Sequence, residues 1–242
     1  MSKRAVVIRV DSGRCIGIGH VMRCLTLAEQ LRVCGCEVVF VSKPHLGHVA
    51  SLCEQAGFSV LLLELRANRV SSVLKHAVWL GGDQSDDATQ FNQAVGWHFG
   101  RSADWIIVDH YGIDAHWEGL VSKTGACVLV IDDLADRLHA CEWLLDQTLG
   151  RRCEDYLGKV PASTRMLLGS GYALLREEFS LPRKDIIEAR ERGLARKLSR
   201  VLVMMGGTDH LDLTTEVLKG LSEDDSTHSV TFVLGHTAPH LE

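Results

Sequence analysis

Short apolar runs return along the chain at intervals that leave room for one helix between them, and this alternation most limits what the chain can fold into. Runs at 4–10, 37–42, 58–63, 105–108, 127–131 and a short one at 143–145 read as strands, with helical patterns at 20–34, 45–56, near 85–100 and 114–123 between them. Segments such as Trp105-Ile106-Ile107-Val108 lack polar alternation. Both of their faces are therefore buried, as in a parallel sheet covered by helices on two sides. The expectation is an α/β fold.

A charged stretch, 183–200, reads as a connecting helix, after which the pattern restarts. A strand at 201–205, the turn Gly206-Gly207-Thr208-Asp209, a helix at about 211–221 and a strand at 230–234 repeat the order of the N-terminus. Two Rossmann-like lobes are expected. The first covers 1–182 and the second opens over 201–242, which is too short to complete a doubly wound domain.

With 242 residues, 46% of them hydrophobic, the chain can bury a sizeable core. Lys and Arg total 26 against 31 Asp and Glu, a net charge of -5, and the basic residues are scattered, so no nucleic-acid footprint appears. No apolar run approaches the roughly 20 residues that span a bilayer, so no membrane partner is expected. The N-terminal run meets Arg9 and Asp11 early and reads as a strand. Eight cysteines without a Cys-x-x-Cys pair read as reduced thiols of a cytoplasmic protein. Cys34-Gly35-Cys36 lacks a second pair, so neither a metal nor a cofactor is assigned.

Ligands of open α/β sheets bind beyond the carboxyl ends of the strands. Those ends are polar here: Asp11, Asp109-His110-Tyr111, Asp132-Asp133 and Asp146-Gln147. Each aspartate alone reads as a helix cap or turn residue, while four polar strand ends along one edge also frame a cleft, and both readings stand. Arg9, inside an apolar strand, needs a counter-charge, for which Asp11 is the nearest candidate.

Between the first strand and helix lies Ile16-Gly17-Ile18-Gly19-His20-Val21-Met22-Arg23-Cys24-Leu25. Glycines bring backbone close to a ligand, and amides at a helix start attract anions. A dinucleotide fingerprint fails, because Met22 stands at the third glycine and the next strand closes on Ser42 rather than an acid. His20 alone reads as a packed helix-start residue. Arg23 shares its face, where a cation is unfavourable unless an anion arrives.

These segments, with Arg9-Val10-Asp11, Val108-Asp109-His110-Tyr111, Ile131 to Arg137, Asp146-Gln147, Leu168 to Phe179 and Met205 to Asp209, resemble the UDP-sugar hydrolases of pseudaminic acid biosynthesis. The family acts on UDP-2,4-diacetamido-2,4,6-trideoxy-β-L-altropyranose and is similar in fold to two-lobed GT-B glycosyltransferases. The resemblance implies hydrolysis of the anomeric C–O bond, releasing UDP and the free sugar for a nonulosonic acid of flagellin or surface glycans. His20 would be the base that activates water, with inversion, and a helix N-terminus favours its neutral form. Asp11, Arg23, Asp109, Tyr111 and Arg176 would contact the sugar. Gly17, Gly19, Gly206 and Gly207, with Thr208 and Asp209, would serve the diphosphate. Thr148 stands where the family has Asn. The alternatives are a GT-B glycosyltransferase, in which an acceptor hydroxyl replaces water, and a non-catalytic nucleotide-sugar-binding module.

Overall fold

The computed structural model describes residues 3–66, 74–180, 187–188, 190–192, 200–206, 209, 211–222 and 229–235. The chain divides into two compact units, Met1–Leu174 and Leu175–Glu242.

The first unit is built on seven strands: β1 (Ala5–Val10), β2 (Glu37–Ser42), β3 (Ser59–Leu62), β4 (Trp105–Asp109), β5 (Cys127–Ile131), β6 (Trp143–Asp146) and β7 (Arg165–Leu168). All pair in parallel, in the order β3-β2-β1-β4-β5-β6-β7. The chain starts in the middle, runs outward to β3, then returns to lay β4 against the other side of β1. That reversal is the topological switch point where open α/β sheets bind ligands. Val10 there lies level with Asp109.

Helices α1 (Gly19–Val33), α2 (Ala50–Gln55), α3 (Gln84–Phe99) and α4 (Ala115–Ser122) cover the sheet. Alternate residues of a strand point to opposite faces. Val6, Ile8 and Val10 pack with Val21 and Leu25 of α1, whereas Val7 packs with Phe91 of α3 and Trp117 of α4. By the same alternation Arg9 projects toward α3 and α4, a layer that must supply carboxylates or leave a buried charge unpaired.

The expected strands form within a residue or two. The helix expected over 45–56 begins only at Ala50, because residues 45–48 close a turn in which Gly47 sits at a φ of 76°, a conformation that breaks a helix. β7 was not anticipated. It is a four-residue edge strand, and its Arg165 is exposed.

The second unit contains β8 (Arg200–Val203), α5 (Leu213–Ser222) and β9 (Ser229–Phe232), with β8 and β9 parallel. Its first residue, Leu175, precedes the boundary expected after 182. Within 183–200, residues 187–188 and 190–192 are helical and most of the others lie outside the described residues. Among the described residues no helix is long and apolar enough to cross a membrane. All eight cysteines are free; Cys24, Cys53 and Cys141 are buried, while Cys15, Cys34 and Cys153 are exposed.

Candidate functional site

At the switch point two polar clusters sit on adjoining strand ends. The first is closed. The Arg9 guanidinium donates to Asp11 at 2.6 and 3.0 Å and to Asp87 of α3 at 3.1 and 2.8 Å. Lys43 Nζ lies 2.8 Å from Asp87, and the Lys43 backbone N–H donates to Asp11 at 2.7 Å. The Trp117 indole N–H completes the shell of Asp87 at 2.9 Å. His110 Nε2 lies 3.1 Å from Asp11 but is misaligned for a hydrogen bond. Burial lowers its pKa despite the opposing pull of Asp11. Asp11 is thus sealed beneath the surface, with its oxygens committed to the frame.

The second cluster is open. His20 Nδ1 lies 2.6 Å from Asp109 Oδ1 at the end of β4. Arg23, one turn along α1, donates to both Asp109 oxygens at 2.6 Å and to Asp133 at 2.8 Å. The Cys24 thiol faces the same carboxylate at 3.4 Å. The Tyr111 hydroxyl donates to Asp133, and its ring meets His20 edge to face at 4.6 Å. Burial alone would raise the Asp109 carboxyl, but His20 and Arg23 outweigh it and hold the group well below the usual carboxylate range. Asp109 is therefore an acceptor. In the neutral imidazole Nδ1 then carries the hydrogen, with the lone pair on Nε2. Nε2 has no hydrogen bond among the described residues and is not sealed from solvent.

The glycine loop shapes this site. Gly17 adopts a φ of 81° and exchanges backbone hydrogen bonds with Gly13 at 2.7 and 3.3 Å, so its N–H is committed within the loop. Helix α1 then starts without a side-chain cap or an acid in its first turn. The N–H groups of Ile18, Gly19 and His20 lack partners among the described residues, which leaves a positive helix end beside His20.

Of the residues expected from sequence, the structure thus brings together Gly19, His20, Arg23, Asp109 and Tyr111, and puts Asp11 in the neighbouring closed cluster. Gly206, Asp209 and Arg176 belong to the second unit. Asp209 accepts from the Leu213 and Thr214 N–H groups at 3.0 Å each and so caps the start of α5. The Arg176 guanidinium lies 5.8 Å from the centre of the Phe179 ring. Gly207 and Thr208 lie outside the described residues. Asp133, noticed only as a strand-end acid, ties Arg23 to Tyr111. His76 and Trp79 also join the cluster through Tyr111, and no motif announced them.

No protein-family model matches the chain. It is 29% identical over 239 residues to the UDP-2,4-diacetamido-2,4,6-trideoxy-beta-L-altropyranose hydrolase of Campylobacter jejuni, covering 98% of this chain and 72% of that protein. It is 22% identical over 234 residues to uncharacterized protein MJ1062 of Methanocaldococcus jannaschii, covering 95% and 42%. Among solved structures, MurG of Acinetobacter baumannii superposes with a TM-score of 0.59 at 13% identity, over 97% of this chain and 61% of MurG. The calicheamicin glycosyltransferase CalG4 gives 0.50 at 12% identity, over 99% and 68%. Both are GT-B glycosyltransferases, and the chain has that α/β fold over the part it spans.

Proposed function

We propose that the chain hydrolyses a UDP-linked 2,4-diacetamido-2,4,6-trideoxy sugar at its anomeric C–O bond, with His20 as general base. The observation that carries this reading is the 2.6 Å contact between His20 Nδ1 and Asp109, which fixes the tautomer and leaves Nε2 as the proton acceptor. Nε2 takes a proton from water as the water oxygen bonds to the anomeric carbon. The C–O bond to the diphosphate breaks with inversion, and its electron pair leaves with UDP. UDP is a good leaving group and needs charge stabilisation rather than an acid. The unpaired amides at the start of α1 are suited to an anionic diphosphate. Three of the five Arg23 N–H donors are spent on Asp109 and Asp133 and Nη2 also lies 3.2 Å from His20 Nδ1, which leaves the second N–H of Nη1 for a sugar oxygen. The likeness to the Campylobacter jejuni hydrolase supports the substrate class.

The test is UDP release from this UDP-sugar in oxygen-18 water, with wild type beside His20→Ala. Label is expected in the sugar and not in UDP, with the variant slower by about 100-fold or more, the usual contribution of a general base. Equal rates would remove His20 from its role, and label in UDP would place the attack at phosphorus.

A further inference from the structure

Next to the open cluster, a single 3₁₀ turn, Ala77–Leu80, presents an aromatic wall. Ala77 and Leu80 are buried and anchor the turn, and the Leu80 carbonyl accepts from Lys43 Nζ at 2.8 Å. The His76 carbonyl closes over Gly112, where a Cβ would lie 2.9 Å from it, so only glycine at 112 permits the approach without a shift. His76 and Trp79, both half-buried, are held over Tyr111. The ring centres of His76 and Trp79 are 4.3 Å apart, and those of Trp79 and Tyr111 are 5.8 Å apart at an interplanar angle of 29°. Tyr111 in turn touches His20, so a continuous aromatic surface runs outward from the base.

The indole N–H of Trp117 is buried on Asp87, whereas that of Trp79 has no partner among the described residues. A half-buried ring with an unspent donor, anchored from behind beside a base, suits a ligand with an apolar face and a nearby acceptor.

We propose that Trp79 and His76 form the wall against which the sugar packs, and that this wall selects an N-acylated 6-deoxy sugar over one with a free 6-hydroxyl. The proposal rests on the hydrolase reading above. The C6 methyl and the C4 acetamido methyl lie on the rings, and the C4 acetamido carbonyl, which N-acetylglucosamine lacks, accepts from the Trp79 N–H. An apolar surface of this kind rejects an added hydroxyl only moderately, by about 10- to 100-fold.

The experiment compares kcat/KM for the UDP-linked diacetamido-trideoxy sugar and for UDP-N-acetylglucosamine in wild type, Trp79→Ala and Trp79→Phe. Trp79→Ala is expected to lose about 10- to 100-fold on the deoxy sugar, mainly through KM, with little change on the hydroxylated one, and Trp79→Phe to retain most of the preference. Equal losses on both substrates, or no loss on either, overturn the wall. Saturation-transfer NMR with the free diacetamido sugar reads contact without chemistry. Transfer to its methyl protons in wild type that vanishes in Trp79→Ala sustains the wall even if no UDP is released, an outcome that would instead refute the hydrolase reading. Absence of transfer in wild type, or its persistence in the variant, overturns the wall whatever the hydrolysis assay shows.

Discussion

The clusters at the ends of β1 and β4 are made of the same residue types, yet only one balances its own charges. Around Asp11, two cations, Arg9 and Lys43, meet two carboxylates, Asp11 and Asp87, while burial favours neutral His110. Around Asp109, Arg23 is the one arginine or lysine among the described residues paired with the Asp109 and Asp133 carboxylates, so a neutral His20 leaves the group one positive charge short. A proton taken by His20 restores the balance. Strand-end aspartates therefore serve two ends here: a closed cluster is a strut, and an open one stabilises the imidazolium that catalysis creates.

The largest effect that would test this contrast is expected at Asp109. Asp109→Asn keeps an acceptor for Nδ1–H but removes the charge that offsets the imidazolium. We expect kcat to fall by about 100- to 10,000-fold with KM little changed, measured as UDP release. Asp87→Asn should do the reverse. It leaves Arg9 with Asp11 alone and Lys43 Nζ on the Leu80 carbonyl without its carboxylate, and breaking a buried pair of this kind lowers stability by about 3–5 kcal/mol, measured by urea unfolding, while the folded fraction keeps its kcat. If Asp87→Asn abolished turnover at unchanged stability, the division into strut and site would fail.

This division was only half legible in the sequence. Periodicity disclosed the strands because buried parallel strands are continuously apolar, and the strand-end rule then singled out Asp11, Asp109 and Asp133 without ranking them. Ranking depends on partners far away in sequence: Asp87 lies on α3, and Lys43 follows β2, so the closure around Asp11 appears only once the sheet has assembled. Trp79 was silent for a similar reason. In Ala77-Val78-Trp79-Leu80 a tryptophan reads as core, and only the burial of its neighbours at 77 and 80 turns it outward. The cap that Asp209 supplies to α5 is likewise invisible in its glycine-loop motif, because the Leu213 and Thr214 amides it accepts from lie beyond that motif.

A third strand-end cluster gives the contrast a pH axis. His139, buried beside Glu118 at 2.8 Å and Asp132 at 3.7 Å, would be driven down by burial, but the two carboxylates outweigh it and push its pKa up to about 9. The folded value exceeds the unfolded one of about 6.5. Its contribution is therefore complete below pH 6.5 and is lost as pH rises through 9. Thermal melts should show a decline in Tm across that window that His139→Gln lacks. A decline of equal slope in the variant would mean that this cluster is not balanced by a charged histidine.

The smallest expected effect concerns the two helix starts. α5 begins under the Asp209 carboxylate, whereas α1 follows Ile18 with the Ile18, Gly19 and His20 amides unpaired among the described residues. Ile18→Asp would place a carboxylate at that positive end and stabilise the protein by about 0.3–1 kcal/mol. If the vacancy at α1 is kept for an anion, the same substitution should weaken UDP binding in calorimetry, because the carboxylate occupies and repels where the diphosphate would sit. Stability and affinity would then move in opposite directions. A gain in stability with UDP affinity unchanged would show that the bare start of α1 is an unoptimised helix end, and the anion would have to be held elsewhere.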